Sequence, residues 1–225
     1  MSKKFIIEEL PDRYRLLNVL YQGENWNFDW FKKLLDNGAE HHLEDWIKIT
    51  KNSEVKIPNS RMVHANITTL YNNRNNPKTA QKELLEEVVK DIFRRNIREN
   101  SGLTSSRIIY EPQAPDTVIH NFGYENQFSI QQDMISRAWE IKENSHWLAL
   151  PINALVGTTN VSEVFQIYNW LYKKPCIYLL NQRVKDQCFV DVVMGIYDTD
   201  KFLILANNDM SSYNARGVVA IKARK

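Results

Sequence analysis

The sequence predicts an α/β domain with a mixed sheet, its core running helix, strand, strand, strand, helix, strand behind an N-terminal helical lobe. Three observations point this way. The clearest amphipathic pattern in the chain begins at Pro77, the hydrophobic period then shortens towards two, and the continuous apolar run Cys176-Ile177-Tyr178-Leu179-Leu180 follows a second amphipathic stretch. This divides the chain into a lobe over 1–76, including a polar loop, and a core over 77–225 that ends in a hairpin.

In the lobe, Pro11-Asp12 opens a helix through Arg13–Tyr21 that Gly23 stops, and Trp30, Phe31, Leu34 and Leu35 share helical spacing up to Asn37-Gly38. His42 to Ile49 reads as a third helix, with strands at Val55–Ile57 and Met62–Leu70. In the core, Asn76 and Pro77 start a helix whose apolar face is Ala80, Leu84, Leu85, Val88, Val89, Ile92, Phe93 and Ile97, closed by Ser101-Gly102. Strands follow at Arg107–Tyr110, Asp116–His120, Ile135–Lys142 and Trp147–Leu150. Val161–Tyr172 is a helix, Phe189–Tyr197 with Phe202–Leu205 a hairpin, and Val218–Ile221 an edge strand.

Hydrophobic residues at 43% and charged residues at 25% are globular values, which argues against global disorder. A net charge of +2 confines any nucleic-acid surface to a local patch. No apolar run approaches the ~20 residues of a membrane span, and acids follow the basic N-terminal residues where a secretory segment would stay apolar. A cytoplasmic protein is therefore expected, with Cys176 and Cys188 as buried thiols. The seven glycines form no phosphate-cradling loop, so no nucleotide cofactor is expected. The histidines and cysteines lack zinc spacing, no Gly-x-Ser-x-Gly elbow occurs, and Gly195-Ile196-Tyr197 is only half of a nuclease signature.

One constellation remains. Pro115-Asp116 opens the second core strand and Glu140-Ile141-Lys142 lies near the third. Residues two apart on a strand face the same side, so Glu140 and Lys142 would share a site. Acid-x-Lys also occurs at Glu54-Val55-Lys56, so position within the element order, rather than the string, carries the evidence. In this order and with these residues, about 77–181 resembles the PD-(D/E)XK nucleases, which include many type II restriction endonucleases. The resemblance implies Mg²⁺-dependent hydrolysis of double-stranded DNA by a homodimer. Asp116 and Glu140 would hold the metal, Lys142 would orient the attacking water, and Glu86 or Glu87 would match an additional acid on the first helix. DNA recognition would fall to two loops, one with Asn72, Asn73, Arg74, Asn75 and Asn76, the other with Asn207, Asn208, Ser211, Ser212, Asn214 and Arg216. Asparagine pairs with adenine, so an A·T-rich target fits. Three alternatives stand beside this. Met134–Glu140 also fits a helix, which would point Glu140 and Lys142 apart. Asp116 also fits a strand cap beside a surface acid-lysine pair. The chain as a whole also fits a non-catalytic nucleic-acid- or protein-binding module of a phage or mobile element.

Overall fold

A computed structural model describes residues 4–75, 81–94, 102–134, 138–172, 174–179, 188–197, 201–207 and 213–223. In chain order the strands are β1 (Ile6–Glu9), β2 (Arg13–Tyr21), β3 (Glu24–Leu34), β4 (Leu103–Tyr110), β5 (Thr117–His120), β6 (Phe128–Gln131), β7 (Ala138–Glu140), β8 (Pro175–Leu179), β9 (Cys188–Tyr197), β10 (Lys201–Asn207) and β11 (Arg216–Lys222). The helices are α1 (Leu43–Thr50), α2 (Ser60–Asn73), α3 (Lys82–Val88), α4 (Ala149–Val156) and α5 (Val161–Leu171). The protein is mixed α/β. One sheet has the order β1-β2-β3-β11, and the other has the order β6-β5-β4-β9-β10-β8-β7. The larger sheet is mixed, because β10 pairs parallel with β8 and antiparallel with β9.

The N-terminal segment corrects the expected helical lobe: residues 13–34 form a hairpin. Tyr14 and Leu16 alternate with half-buried neighbours along β2, the period of a strand. Gln22 and Gly23 have φ of 51° and 78°, the paired left-handed geometry of a two-residue hairpin turn, and Tyr21 pairs with Glu24. Gly23 is therefore a turn residue and not a helix stop. Gln81 occupies one rung on the outer edge of β1. Its side-chain amide accepts from the Ile7 N–H (3.3 Å) and donates to the Ile7 carbonyl (3.1 Å).

The expected strand at 62–70 is helix α2, started by Asn59, whose side chain accepts from the Met62 amide. Met62, Val63, Ile67 and Leu70 are buried because α2 lies among β2, β4, β9, α4 and α5. A helix covered on several sides loses the polar stripe that would mark its period. Likewise, 147–150 is not a strand but a 3₁₀ turn (His146–Leu148) leading into α4. Of the helix expected from Pro77, the described part is α3 and a π turn over Val89–Phe93. Val55–Ile57 contributes only the bridge Lys56↔Val218.

The main hydrophobic cluster runs from Tyr14 and Trp30 through Ile67 and Ile152 to Val192 and Ile204, and β11 completes the N-terminal sheet, so the core crosses the boundary expected at 76. Val192 belongs to this cluster, whereas its neighbour Val193 joins a second one with Leu43, Trp46 and Ile47 of α1. Adjacent strand residues face opposite ways, so the large sheet is covered on both sides at β9. Among the described residues, no helix is long and apolar enough to cross a membrane.

Candidate functional site

Asp116 and Glu140 are not neighbours. Asp116 precedes β5, Glu140 ends β7, and β4, β9, β10 and β8 lie between these strands in the sheet order. Asp116 is 7% exposed, and its two oxygens accept the Glu111 amide (3.0 Å) and the Met134 amide (2.8 Å). It thus clasps two loops, as a strand cap does. Residues 138–140 are a strand, and exposed Glu140 and Lys142 flank buried Ile141. The Lys142 amide donates to Ser145 Oγ, which starts a turn away from the sheet. Glu86 is exposed on α3, and Glu87 there accepts from the Tyr14 hydroxyl, as does Asp91. Because α3 packs on β1, these acids belong to the N-terminal sheet.

This donor set does not fit Mg²⁺. The ion needs one or two carboxylates converging on a site that also admits water and phosphate. Here the acids are dispersed, and no group of three or more His, Cys, Asp or Glu able to hold an ion occurs among the described residues. Asp116→Ala should therefore cost about 1–3 kcal/mol, because a buried and a part-buried amide lose their acceptor. Lys142→Ala should change stability by less than about 0.5 kcal/mol. Urea denaturation of the two variants checks this, and equal, negligible losses would contradict the clasp.

The recognition loops are likewise dispersed. Asn72 and Asn73 end α2, where Asn73 donates to the Thr69 carbonyl, and Arg74 lies 3.5 Å from the Tyr71 ring centre. Asn72 and Asn75 are exposed, while Asn76, Asn208, Ser211 and Ser212 lie outside the described residues. Asn207 ends β10 opposite Asp191. Asn214 is half-buried. Arg216 is 6% exposed and donates to the Phe31 and Lys32 carbonyls, so it fastens β11 to β3 instead of reaching outward.

Two polar clusters escaped the sequence reading. Ser106 Oγ lies 2.8 Å from His120 Nδ1, and His120 Nε2 lies 2.8 Å from the Ala154 carbonyl. A carbonyl only accepts, so Nε2 carries the proton and Ser106 donates to Nδ1. This is the pairing of a nucleophile with a base, but Ser106 and His120 are both 0% exposed, and no substrate reaches them. Burial lowers the His120 pKa to about 4. The pair joins β4 and β5 to the end of α4, where Ser60 and Arg61 also cap the carbonyls of Leu155 and Asn153. The second cluster is Arg107, held by Asp191 (2.7 Å) and Glu44 (2.6 Å) between the rings of Phe122 and Phe189. Burial pushes the Asp191 carboxyl up despite this cation, while Glu44, against a burial penalty, is held down by its backbone amide and Arg107. Arg107 thereby ties α1 to β4 and β9.

An open cleft of about 470 Å³ lies between the N-terminal sheet and the loop after β5. The β2–β3 hairpin brings Tyr21, Gln22 and Trp26, and the end of α1 with the chain beyond it brings Lys51, Asn52, Glu54, Lys56 and Ile57. The loop brings Asn121, Tyr124, Glu125 and Asn126, followed by Phe128 on β6. Asn59 holds these pieces in register, donating from Nδ2 to the Tyr21 hydroxyl (3.1 Å) and to Asn121 Oδ1 (2.7 Å). Tyr124 is fixed from both sides. Thr50 gives its proton to the Trp46 carbonyl, so the Tyr124 hydroxyl donates to Thr50 and accepts the Ile57 amide. Of the aromatic residues near the N-terminus, Phe28, Trp30 and Trp46 are core, whereas Trp26 lines the cleft. The rings of Trp26 and Phe128, with buried Tyr21 and Tyr124 beside them, and the neighbouring amides and lysines suit a planar, polar-edged ligand.

No family model, curated protein or solved structure matches the chain.

Proposed function

We propose that this protein is a non-catalytic binding module that takes nucleic acid at the cleft between the N-terminal sheet and the loop after β5. The carrying observation is the lining. Half-buried Trp26 and Phe128 bring rings to the lining with buried Tyr21 and Tyr124 behind them, Gln22, Asn52 and Asn126 offer amides, and Lys51 offers a cation. Bases stack on aromatic side chains and pair with amides, and each such stack is worth about 1–3 kcal/mol. The fixed hydrogen bonds of Tyr124 and Asn59 support the reading, because a preformed wall orders little on binding.

Anisotropy of labelled single-stranded and duplex oligonucleotides, with and without Mg²⁺, tests it. Binding is expected without cutting, and Asn126→Trp, a bulky side chain at the exposed rim, should weaken it at least tenfold with an unchanged melting temperature. Absence of binding would sink the reading. So would metal-dependent cutting of duplex DNA that Asp116→Ala and Lys142→Ala abolish, which would restore the nuclease expectation.

A further inference from the structure

Two lysines and two glutamates share the mouth of the cleft: Lys51, Lys56, Glu54 and Glu125. Lys56 is already engaged, because its ammonium donates to the carbonyls of Thr50 (3.0 Å) and Lys51 (2.6 Å) at the end of α1. Lys51 is exposed, and none of the ion pairs among the described residues includes it. One cation is thus available to one phosphate, and the two glutamates repel the next. A chain of phosphates finds no basic track here, whereas proteins that follow a strand line it with positive charge.

The interior also suits one ring system. Its volume falls within the range of about 300–1,000 Å³ for small-ligand sites. A base stacked in a duplex has its faces covered by its neighbours, so only an unpaired base can present them to an aromatic wall. Tyr21 is 4% exposed and its oxygen accepts from Asn59. The described residues give its own hydroxyl hydrogen no acceptor, which leaves a donor on the wall for a ring nitrogen or carbonyl.

We infer that the unit recognised is a single unpaired nucleotide, its base inside the cleft and one phosphate on Lys51. This rests on the nucleic-acid reading above. The test is anisotropy of a 3′-labelled single-stranded 12-mer, and of the same strand in a blunt duplex, across a potassium chloride series. Millimolar adenosine monophosphate serves as competitor. The single strand is expected to bind at least tenfold tighter than the duplex and to be displaced by the mononucleotide. The slope of log K against log salt should be about −0.7, the value for one phosphate on a single strand. In Lys51→Ala that slope should fall to near zero with unchanged melting. Equal or tighter duplex binding, a slope of about −3 or steeper, or failure of the mononucleotide to compete would overturn the single-nucleotide inference while leaving nucleic-acid binding in place. No binding of either oligonucleotide would overturn both.

Discussion

Taking the protein from pH 7 to pH 5 should remove about 4 kcal/mol of stability through two buried histidines. Burial lowers His64 and His120 from an ordinary 6.5 to about 4 each. His64 lies against the Tyr168 hydroxyl (2.9 Å), and His120 between Ser106 and the Ala154 carbonyl. Among the described residues, no carboxylate favours the imidazolium at either site. Because the folded values are depressed, the unfolded chain binds more protons below pH 6.5. The stabilisation is therefore complete above that pH and is lost as pH falls towards 4. Each histidine contributes about 2 kcal/mol to the loss at pH 5 and about 3 kcal/mol by pH 4. Against a typical total of about 5–15 kcal/mol, the pair brings the protein close to acid unfolding. For a chain of this size the melting temperature should drop by about 8–16 °C between the two pH values. In His64→Gln, which keeps a hydrogen-bonding side chain, the difference should shrink by about 2 kcal/mol. An undiminished difference in urea titrations at both pH values would show that other groups carry the effect.

Gly102→Ala should be the most damaging small substitution, at about 4 kcal/mol or more. Gly102 immediately precedes β4, where the Met194 amide of β9 donates to its carbonyl at 2.8 Å. An added Cβ would stand 1.4 Å from the Met194 carbonyl oxygen and 2.5 Å from its carbon. The obstacle is backbone in the middle of the large sheet, with β10 paired on the far side of β9, so it cannot rotate aside. Gly217→Ala is the natural control. Its Cβ would meet Val55 Cγ1 at 2.3 Å and Leu35 Cδ2 at 2.9 Å, side-chain atoms and not backbone, of which the Leu35 methyl turns away more easily than the β-branched Val55. Ordinary overpacking of about 1–3 kcal/mol is expected there. Denaturation midpoints compare the two variants, and a Gly102→Ala protein no less stable than Gly217→Ala would refute the close approach.

What the sequence disclosed about the fold depended on whether an element had a single buried face. α5 was legible because Asn160 caps it and Val161, Val164, Ile167, Tyr168 and Leu171 make a single buried face. The β9–β10 hairpin and β8 were legible as apolar strand runs between breaks. β3 misled because Trp30, Phe31, Leu34 and Leu35 happen to match helical spacing. The stronger signal was Gln22-Gly23 between two alternating runs. α2 misled for the opposite reason, its burial among several elements erasing the period, although Asn59 before Ser60 was a readable cap. Of the candidate residues, Glu140 ends β7 and Lys142 lies just beyond it, and the strand order that separates them from Asp116 is set by long-range pairing that local pattern does not encode. The cleft was illegible because its walls come from residues 21–26, 51–62, 121–128 and 218–220.

The amide of Gln81 on Ile7 bears on how these molecules behave when crowded together. A bare sheet margin invites a strand from another copy to add on, and such growth has no natural end. On β1 the one residue whose donor and acceptor both meet Gln81 is masked by a side chain imitating a single rung of the ladder. That rung is thereby closed without a further strand.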